Sequence, residues 1–222
     1  MQILMIHDVM GRPGRTTLQA LLSKLKEELR VDLVVANGEN IVSGFSLTLD
    51  TSNQLFDSVV YVITSGHHVW YQEKIVPYLN DRTPILRPLN YPNTEPGESY
   101  LKLDSNMIMN LIGRVFVNTF DCPFRAVGQL LEKSVNHPNV ATTDARILPK
   151  GTAFVNDVGM VGSINSIIGA NPDDALQRFT DQKPRRLSVA IGGPTKFNSV
   201  QLDIDETTGR AIKIRQVDRE IE

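Results

Sequence analysis

The fold is decided near the start of the chain, by Ile3-Leu4-Met5-Ile6 followed by His7-Asp8-Val9-Met10-Gly11. Four consecutive apolar residues predict a short β-strand that is buried on both faces. After Gly14, leucines recur at the spacing of one helical face, which predicts an amphipathic helix. These leucines are Leu18, Leu21, Leu22, Leu25 and Leu29. A strand, a polar turn and a helix in this order indicate an α/β fold.

The same alternation continues through the first half of the chain. Residues 31–36 and 60–64 are rich in β-branched residues and contain few polar ones, which predicts two more buried strands. A helix is expected from about Asp50, which would cap it, and another around residues 72–79. Strands that alternate with helices imply βαβ units with right-handed crossovers and a parallel sheet.

The second half is richer in predicted strands. Helices are expected at residues 124–135 and 172–180, and a hairpin loop ends at Gly209. Strands are predicted at residues 100–103, 107–112, 153–155, 187–191, 199–204 and 211–217. No repeat or linker interrupts the pattern. We therefore expect residues 1–222 to form one domain, built as a layered α/β sandwich.

Composition excludes several classes of protein. With 222 residues and a formal net charge of -2, the chain has no bulk attraction for nucleic acid or for an anionic membrane. The single cysteine, Cys122, rules out an internal disulfide and fits a reducing compartment. We expect no signal peptide, because residues 1–6 have no basic n-region, and no membrane span, because no apolar run approaches about 20 residues. We expect a cytoplasmic protein.

Polar clusters follow three successive predicted strands, at the point where each strand ends. They are His7-Asp8, Asn37-Gly38-Glu39-Asn40 and Gly66-His67-His68. The carboxyl ends of neighbouring parallel strands face one crevice, so these side chains are expected to converge there. Carboxylate, amide and imidazole ligands together suit Mn, Fe or Zn better than a Ca²⁺ cage. A fourth cluster, at residues 136–139, lies far along the chain.

Each cluster alone has a simpler explanation. Asp8 is also a typical turn or helix-cap residue, and Asn37-Gly38 is a common turn pair. The paired histidines could have a structural role, and His137 could be a plain loop residue. The coincidence of three clusters, one at each strand end, is what favours a shared metal site.

Seven stretches carry a resemblance to a known family. They are residues 6–15, 37–40, 66–70, 87–92, 113–116, 144–153 and 157–160, and they occur in order over nearly the whole chain. In these stretches the chain resembles the metallophosphoesterase family that includes bacterial 2′,3′-cyclic-nucleotide 2′-phosphodiesterases of the YmdB type. This family is a branch of the calcineurin-like phosphoesterases.

The resemblance implies a fold, a reaction and a ligand set. The expected fold is a layered α/β/β/α sandwich of the metallophosphoesterase type. The expected reaction is hydrolysis of a nucleotide-like phosphodiester or phosphomonoester, with a 2′,3′-cyclic nucleotide favoured, by metal-activated hydroxide. Two ions of Mn, Fe or Zn are implied, and one alone could be retained. The implied metal-site residues are Asp8, Glu39 as the bridging ligand, Asn40, His67, His137 and Asn139.

The remaining expected site residues surround these ligands. His68 is implied as the general acid that protonates the leaving oxygen. Arg12, Arg87 and Asn90 are candidates for binding substrate. A glycine-proline turn also explains the neighbourhood of Arg12, and Arg87 and Asn90 could instead fix a loop.

The chain also departs from the family pattern. His67 replaces the asparagine of a Gly-Asn-His motif, Asn139 replaces the second histidine of Thr-His-Thr-His, and His7 stands in place of a glycine. The Phe-His-Ala-Glu segment is absent, which removes another histidine ligand and about one strand–helix–strand unit of roughly 30 residues. An exposed sheet edge left by this loss would favour a homo-oligomer. The alternative function is therefore a catalytically inactive member that binds a nucleotide, an RNA or a protein.

Overall fold

The structure, a computed structural model, describes residues 1–81, 83–103, 106–114, 120–132, 140–141, 145–155, 157–183 and 186–222. These residues form five helices: α1 (Gly11–Glu28), α2 (Leu49–Asp57), α3 (Val76–Asn80), α4 (Pro123–Leu131) and α5 (Pro172–Asp181). A short 3-10 helix, Glu73–Ile75, leads directly into α3.

The described residues also form fourteen strands. In the first half they are β1 (Gln2–Ile6), β2 (Leu33–Asn37), β3 (Val62–Thr64), β4 (Ile85–Leu86), β5 (Tyr100–Leu103) and β6 (Asn106–Met109). Next come β7 (Val140–Ala141), β8 (Arg146–Ile147), β9 (Ala153–Val155) and β10 (Val161–Ser163). The last are β11 (Thr195–Phe197), β12 (Ser199–Ile204), β13 (Ala211–Gln216) and β14 (Arg219–Ile221).

A six-stranded sheet in the order β13-β12-β1-β2-β3-β4 forms the centre of the fold. Strands β1 to β4 are parallel, whereas β12 and β13 join one edge in antiparallel pairing. Because β1, β2 and β3 run in the same direction, the residues that follow them lie at one edge of the sheet. This edge carries the polar clusters.

Both faces of the central sheet are buried, which explains the continuous apolar runs in the sequence. Leu4 and Ile6 belong to a core cluster with Leu18 and Leu22 of α1. Ile3 belongs to a second cluster, which includes Val155 of β9. Successive side chains of β1 thus alternate between two cores.

Three smaller sheets surround this centre: β10-β11-β14, the β5-β6 hairpin and β7-β9-β8. Helix α1 packs closely on the first of them. A Cβ atom on Gly14 would lie 2.5 Å from the carbonyl oxygen of Val161, so only glycine permits this approach. The mixed α/β arrangement confirms the predicted fold class.

Two local predictions were wrong. Thr48, not Asp50, caps α2: the Thr51 amide donates to Thr48 Oγ1 at 3.3 Å, and the Thr48 amide donates back to Thr51 Oγ1 at 3.0 Å. Residues 187–191 form no strand, and only Val189 makes an isolated bridge, to Ala170. The Ser188 amide donates to the Asp174 carboxylate of α5 instead of to a neighbouring strand.

The region of the expected missing unit, at residues 133–139, lies outside the described residues, as does the end of the helix predicted to reach residue 135. Among the described helices, none combines the length and the apolar character that a bilayer crossing needs.

Candidate functional site

Backbone hydrogen bonds tie the three strand ends together. The Val9 amide donates to the Asn37 carbonyl at 3.1 Å, and the Gly38 amide donates to the Thr64 carbonyl at 2.9 Å. Asp8, in the first turn, has a φ of 46°, which an L-residue adopts only where its surroundings hold it. The three polar turns therefore form one rigid rim.

Glu39 and the two histidines meet at the centre of this rim. The Oε1 atom of Glu39 lies 3.0 Å from His67 Nδ1 and 3.6 Å from His68 Nδ1. One ligand atom from each of the three residues lies within 4.8 Å of the other two. We call Glu39, His67 and His68 the metal triad. The sequence predicted that these three side chains converge, and they do so in the structure.

Two atoms of the metal triad have unmet bonding capacity. Glu39 Oε1 and His68 Nδ1 are buried and have no hydrogen-bond partner among the described residues. His67 approaches Glu39 without the alignment of a hydrogen bond. A buried polar atom without a partner is destabilising, and a cation between these atoms would satisfy both. Two imidazoles and a carboxylate suit Zn, Fe or Mn, so the metal triad fits a transition metal ion.

Gly66 makes room for the Glu39 carboxylate. A Cβ atom at position 66 would lie 1.9 Å from Glu39 Oε2, so any larger residue would displace the carboxylate from its present position. The carboxylate therefore lies directly against the backbone at the end of β3. The glycine that precedes the two histidines in the sequence is a requirement of the site.

Asp8 and Asn40 form a second polar pair on the same rim. Asn40 Nδ2 donates to Asp8 Oδ1 at 2.7 Å. Burial raises the pKa of Asp8, although the hydrogen bond from Asn40 lowers it in part. Burial also raises the pKa of Glu39; the charge of His67 lowers that pKa in part, and the negative charge of Asp8 raises it further. Two buried carboxyl groups that repel each other favour a bound cation.

The protonation state of His68 bears on its predicted role. Burial lowers the pKa of His68 to about 4, and the charge of His67 contributes to the decrease. His68 is therefore neutral at pH 7 in the free site. Neutral imidazole binds a metal ion, whereas a general acid must carry the proton that it donates. Its role as an acid stays a prediction.

Aromatic residues enclose His68, and the sequence analysis missed them. The ring of Phe45 lies 3.9 Å from that of His68, and Tyr71 contacts it edge-on at 5.2 Å. The Ser46 hydroxyl donates to the His68 carbonyl at 2.7 Å. Ser43-Gly44, directly before Phe45, is a turn signal that marks this loop as one that folds back.

The three candidate substrate-binding residues differ in their surroundings. Arg12 is exposed in the first turn of α1. Arg87 is buried and donates from Nε to the Gly97 carbonyl and from a terminal nitrogen to the Pro88 carbonyl. Asn90 is buried as well, and its side chain bonds the backbone of residues 112 and 121. These contacts favour the alternative that Arg87 and Asn90 fix loops.

Three further positions bear on the predicted site. His137 and Asn139, the predicted ligands from the later cluster, lie outside the described residues. Asp157, which was not predicted, lies near enough for its negative charge to raise the pKa of Asp8. It lies in the stretch 157–160 that carries the family resemblance, and that stretch is the sequence signal that could have identified it.

Known proteins resemble the chain over its whole length. A model of the YmdB-like protein family matches residues 4–140 and 134–217. A 2′,3′-cyclic-nucleotide 2′-phosphodiesterase of Bacillus subtilis (strain 168) is 32% identical over 255 aligned residues, which cover 98% of this chain and 96% of that protein.

Solved structures share the fold. The crystal structure of a hypothetical protein from Thermus thermophilus superimposes with a TM-score of 0.88, at 30% identity and 99% coverage of both chains. A structure described as a novel phosphatase from Mycoplasma pneumoniae gives a TM-score of 0.87 at 25% identity, over 99% of this chain and 93% of that one.

Proposed function

The chain belongs to the YmdB-like protein family, and from this premise we propose that it is a metal-dependent hydrolase of nucleotide-like phosphate esters. The names of its relatives, a phosphodiesterase and a phosphatase, support a phosphoesterase activity. Within that class we favour a 2′,3′-cyclic nucleotide as the substrate, since the relative that is 32% identical carries this activity in its name.

The observation that carries the proposal is the pair of buried atoms without partners, Glu39 Oε1 and His68 Nδ1. Together with His67, these atoms would hold one cation. Asp8, kept in position by Asn40, would offer a further carboxylate on the same rim for a second cation. A divalent cation bound there lowers the pKa of water and neutralises charge on the phosphate oxygens.

The chain's own residues have separate tasks in this scheme. Glu39, which lies against Gly66, would present its carboxylate to the same point as the two histidines. Neutral His68 binds through Nδ1, and we prefer this role to that of general acid. His67, whose side chain is 40% exposed against 17% for His68, is the histidine that faces solvent and an incoming ester. Phe45 and Tyr71 shield the buried side of the site from water.

Hydrolysis of 2′,3′-cyclic AMP and of bis(p-nitrophenyl) phosphate, with Mn²⁺ added, tests the proposal. We expect turnover by the wild type, its loss in chelator, and a decrease of at least about a hundredfold in Glu39→Gln, since that variant loses a charged ligand. Glu73→Gln, which changes an exposed glutamate elsewhere, is the matched control and keeps full activity.

His67→Asn sharpens the test, because it introduces the residue of the family's Gly-Asn-His motif. We expect this variant to stay active with a changed preference among Mn²⁺, Fe²⁺ and Zn²⁺, since imidazole and amide ligands differ in softness. If the wild type hydrolyses neither ester with any of these metals, the enzymatic proposal is wrong. The alternative of a binding protein without catalysis would then stand.

A further inference from the structure

A cavity of about 900 Å³ opens beside the Asp8–Asn40 pair. We call it the apolar cavity. Its walls come from the turns after β1 and β2, from the loop after β10, from α5 and from residues 187–189. Its lining includes Asp8, Asn40, Leu176, Arg178, Phe179 and Gln182. A cavity of this size accommodates a small organic molecule.

Large apolar side chains form an exposed rim around this cavity. Phe179 is 87% exposed, Ile168 78% and Leu176 57%. Such a cluster of exposed apolar groups is uncommon on a soluble protein and marks a binding surface. Arg178 and Gln182 supply a few polar groups on the α5 side. An apolar pocket with few polar groups is the usual composition of a small-molecule site.

The walls of the apolar cavity are fixed by hydrogen bonds. Asn171 caps α5 by accepting from the Asp173 amide at 2.9 Å. The Ser188 amide donates to Asp174 of α5 at 2.9 Å, which joins residues 187–189 to the helix. The Ala190 amide donates to the Gly169 carbonyl at 2.9 Å, which joins the same segment to the loop after β10. The cavity is therefore formed before any ligand enters.

We propose that the apolar cavity binds the nucleobase of the substrate while the phosphate lies at the metal triad. This inference rests on the proposed function. Asp8 and Asn40 belong to both the rim of the metal site and the cavity wall, so a molecule in the cavity is adjacent to the reacting phosphate. The face of Phe179 offers a surface on which a flat base can stack.

The cavity shares Asp8 and Asn40 with the rim of the metal site, and this shared wall favours a nucleotide over other occupants. An aliphatic chain would fill the apolar walls but would make no use of the polar groups of Arg178 and Gln182, which line the same cavity. A nucleobase has both an apolar face and a polar edge, so it matches the rim aromatic and these two side chains at once. The occupant also has to continue into a phosphate, which a nucleotide does.

Phe179→Ser tests this assignment, and Phe124→Ser is its matched control. Both phenylalanines lie on a helix, at 87% and 86% exposure, but Phe124 is on α4 and does not line the cavity. The probe is adenosine, which has a base and no phosphate, measured by calorimetry. We expect Phe179→Ser to weaken adenosine binding about five- to tenfold, as stacking energies predict, and Phe124→Ser to leave it unchanged.

A second readout uses two esters, 2′,3′-cyclic AMP and methyl p-nitrophenyl phosphate, of which the latter has no base. Phe179→Ser should raise KM for 2′,3′-cyclic AMP about five- to tenfold and leave kcat/KM for methyl p-nitrophenyl phosphate as in the wild type. Equal losses on both esters would overturn the assignment. So would a failure of the wild type to bind adenosine at millimolar concentration.

The two readouts separate this inference from the proposed function. Adenosine binding that depends on Phe179, without hydrolysis of either ester, would overturn the phosphoesterase proposal and support the base site. Hydrolysis of both esters without adenosine binding would do the opposite. A second copy of the chain is the remaining possible occupant, and light scattering tests for it. If the wild type is a dimer that Phe179→Ser dissociates, and adenosine does not bind, a second copy covers the cavity. That result would contradict the base site.

Discussion

Helices α1 and α4 differ in how the fold supports them, and each adjoins one part of the candidate site. Helix α1 begins three residues after Asp8 and buries six of its residues against the central and β10-β11-β14 sheets. Helix α4, which precedes the segment with His137, has no buried residue, and Phe124 at its start is 86% exposed. The ligands of the first half are thus held by the core.

The largest expected difference between the two regions comes from the same substitution, glycine to alanine, made once in each region. Gly66→Ala would place Cβ 1.9 Å from Glu39 Oε2, whereas nothing lies within 4 Å of a Cβ on Gly128 of α4. We expect Gly66→Ala to lower activity more than about a hundredfold and stability by about 2–4 kcal/mol. Gly128→Ala should raise stability by about 0.5–1 kcal/mol, because alanine favours the helix.

Urea denaturation and hydrolysis of bis(p-nitrophenyl) phosphate measure both variants. Equal changes in the free energy of unfolding of the two glycine variants would contradict the claim that the fold supports the two regions differently.

The next largest effect concerns leucines on the two helices. Leu22 of α1 is fully buried, whereas Leu130 of α4 is half-buried. Leu22→Ala should destabilise the fold by about 2–5 kcal/mol through the cavity that it leaves. We expect Leu130→Ala to cost less than about 1 kcal/mol, since little apolar area is removed from contact. A loss of several kcal/mol in Leu130→Ala would mean that α4 packs on a covered surface.

The smallest expected effect concerns the charge of Asp8. Its folded pKa is raised by burial above the ordinary value of 3.8, so the folded state binds the proton more tightly than the unfolded one. Stability from this group is therefore greatest at low pH and is lost as the pH rises through the raised pKa. In chelator, Asp8→Asn should melt several degrees above the wild type at pH 7, with no difference below about pH 4.

Added Mn²⁺ provides the control for this pH prediction. It should raise the melting temperature of the wild type more than that of Asp8→Asn, since binding stabilises the folded state and the variant has lost a ligand. A lower melting temperature of Asp8→Asn at pH 7 in chelator would contradict the predicted electrostatic strain.

The sequence predicted those parts of the molecule that depend on local pattern. Apolar runs ending in polar clusters located Asp8, Glu39 and the two histidines at one sheet edge, because parallel strands impose that geometry. Features set by distant contacts were not predictable. The contact of Phe45 with His68 depends on how the loop after β2 folds back, and the neutral state of His68 depends on burial. Residues 187–191 have a strand-like composition, but the carboxylate of Asp174 on α5, outside this segment, accepts from the Ser188 amide.

Metal content per chain is the most direct test of the central claim, that Glu39, His67 and His68 hold a cation. The wild type, Glu39→Gln and Glu73→Gln would be reconstituted with Mn²⁺ or Fe²⁺, desalted and measured by mass spectrometry. We predict about one to two retained ions per chain in the wild type and Glu73→Gln, and a loss of at least one ion in Glu39→Gln. A wild type that retains no ion, or a Glu39→Gln variant that retains as many as the wild type, would contradict the account.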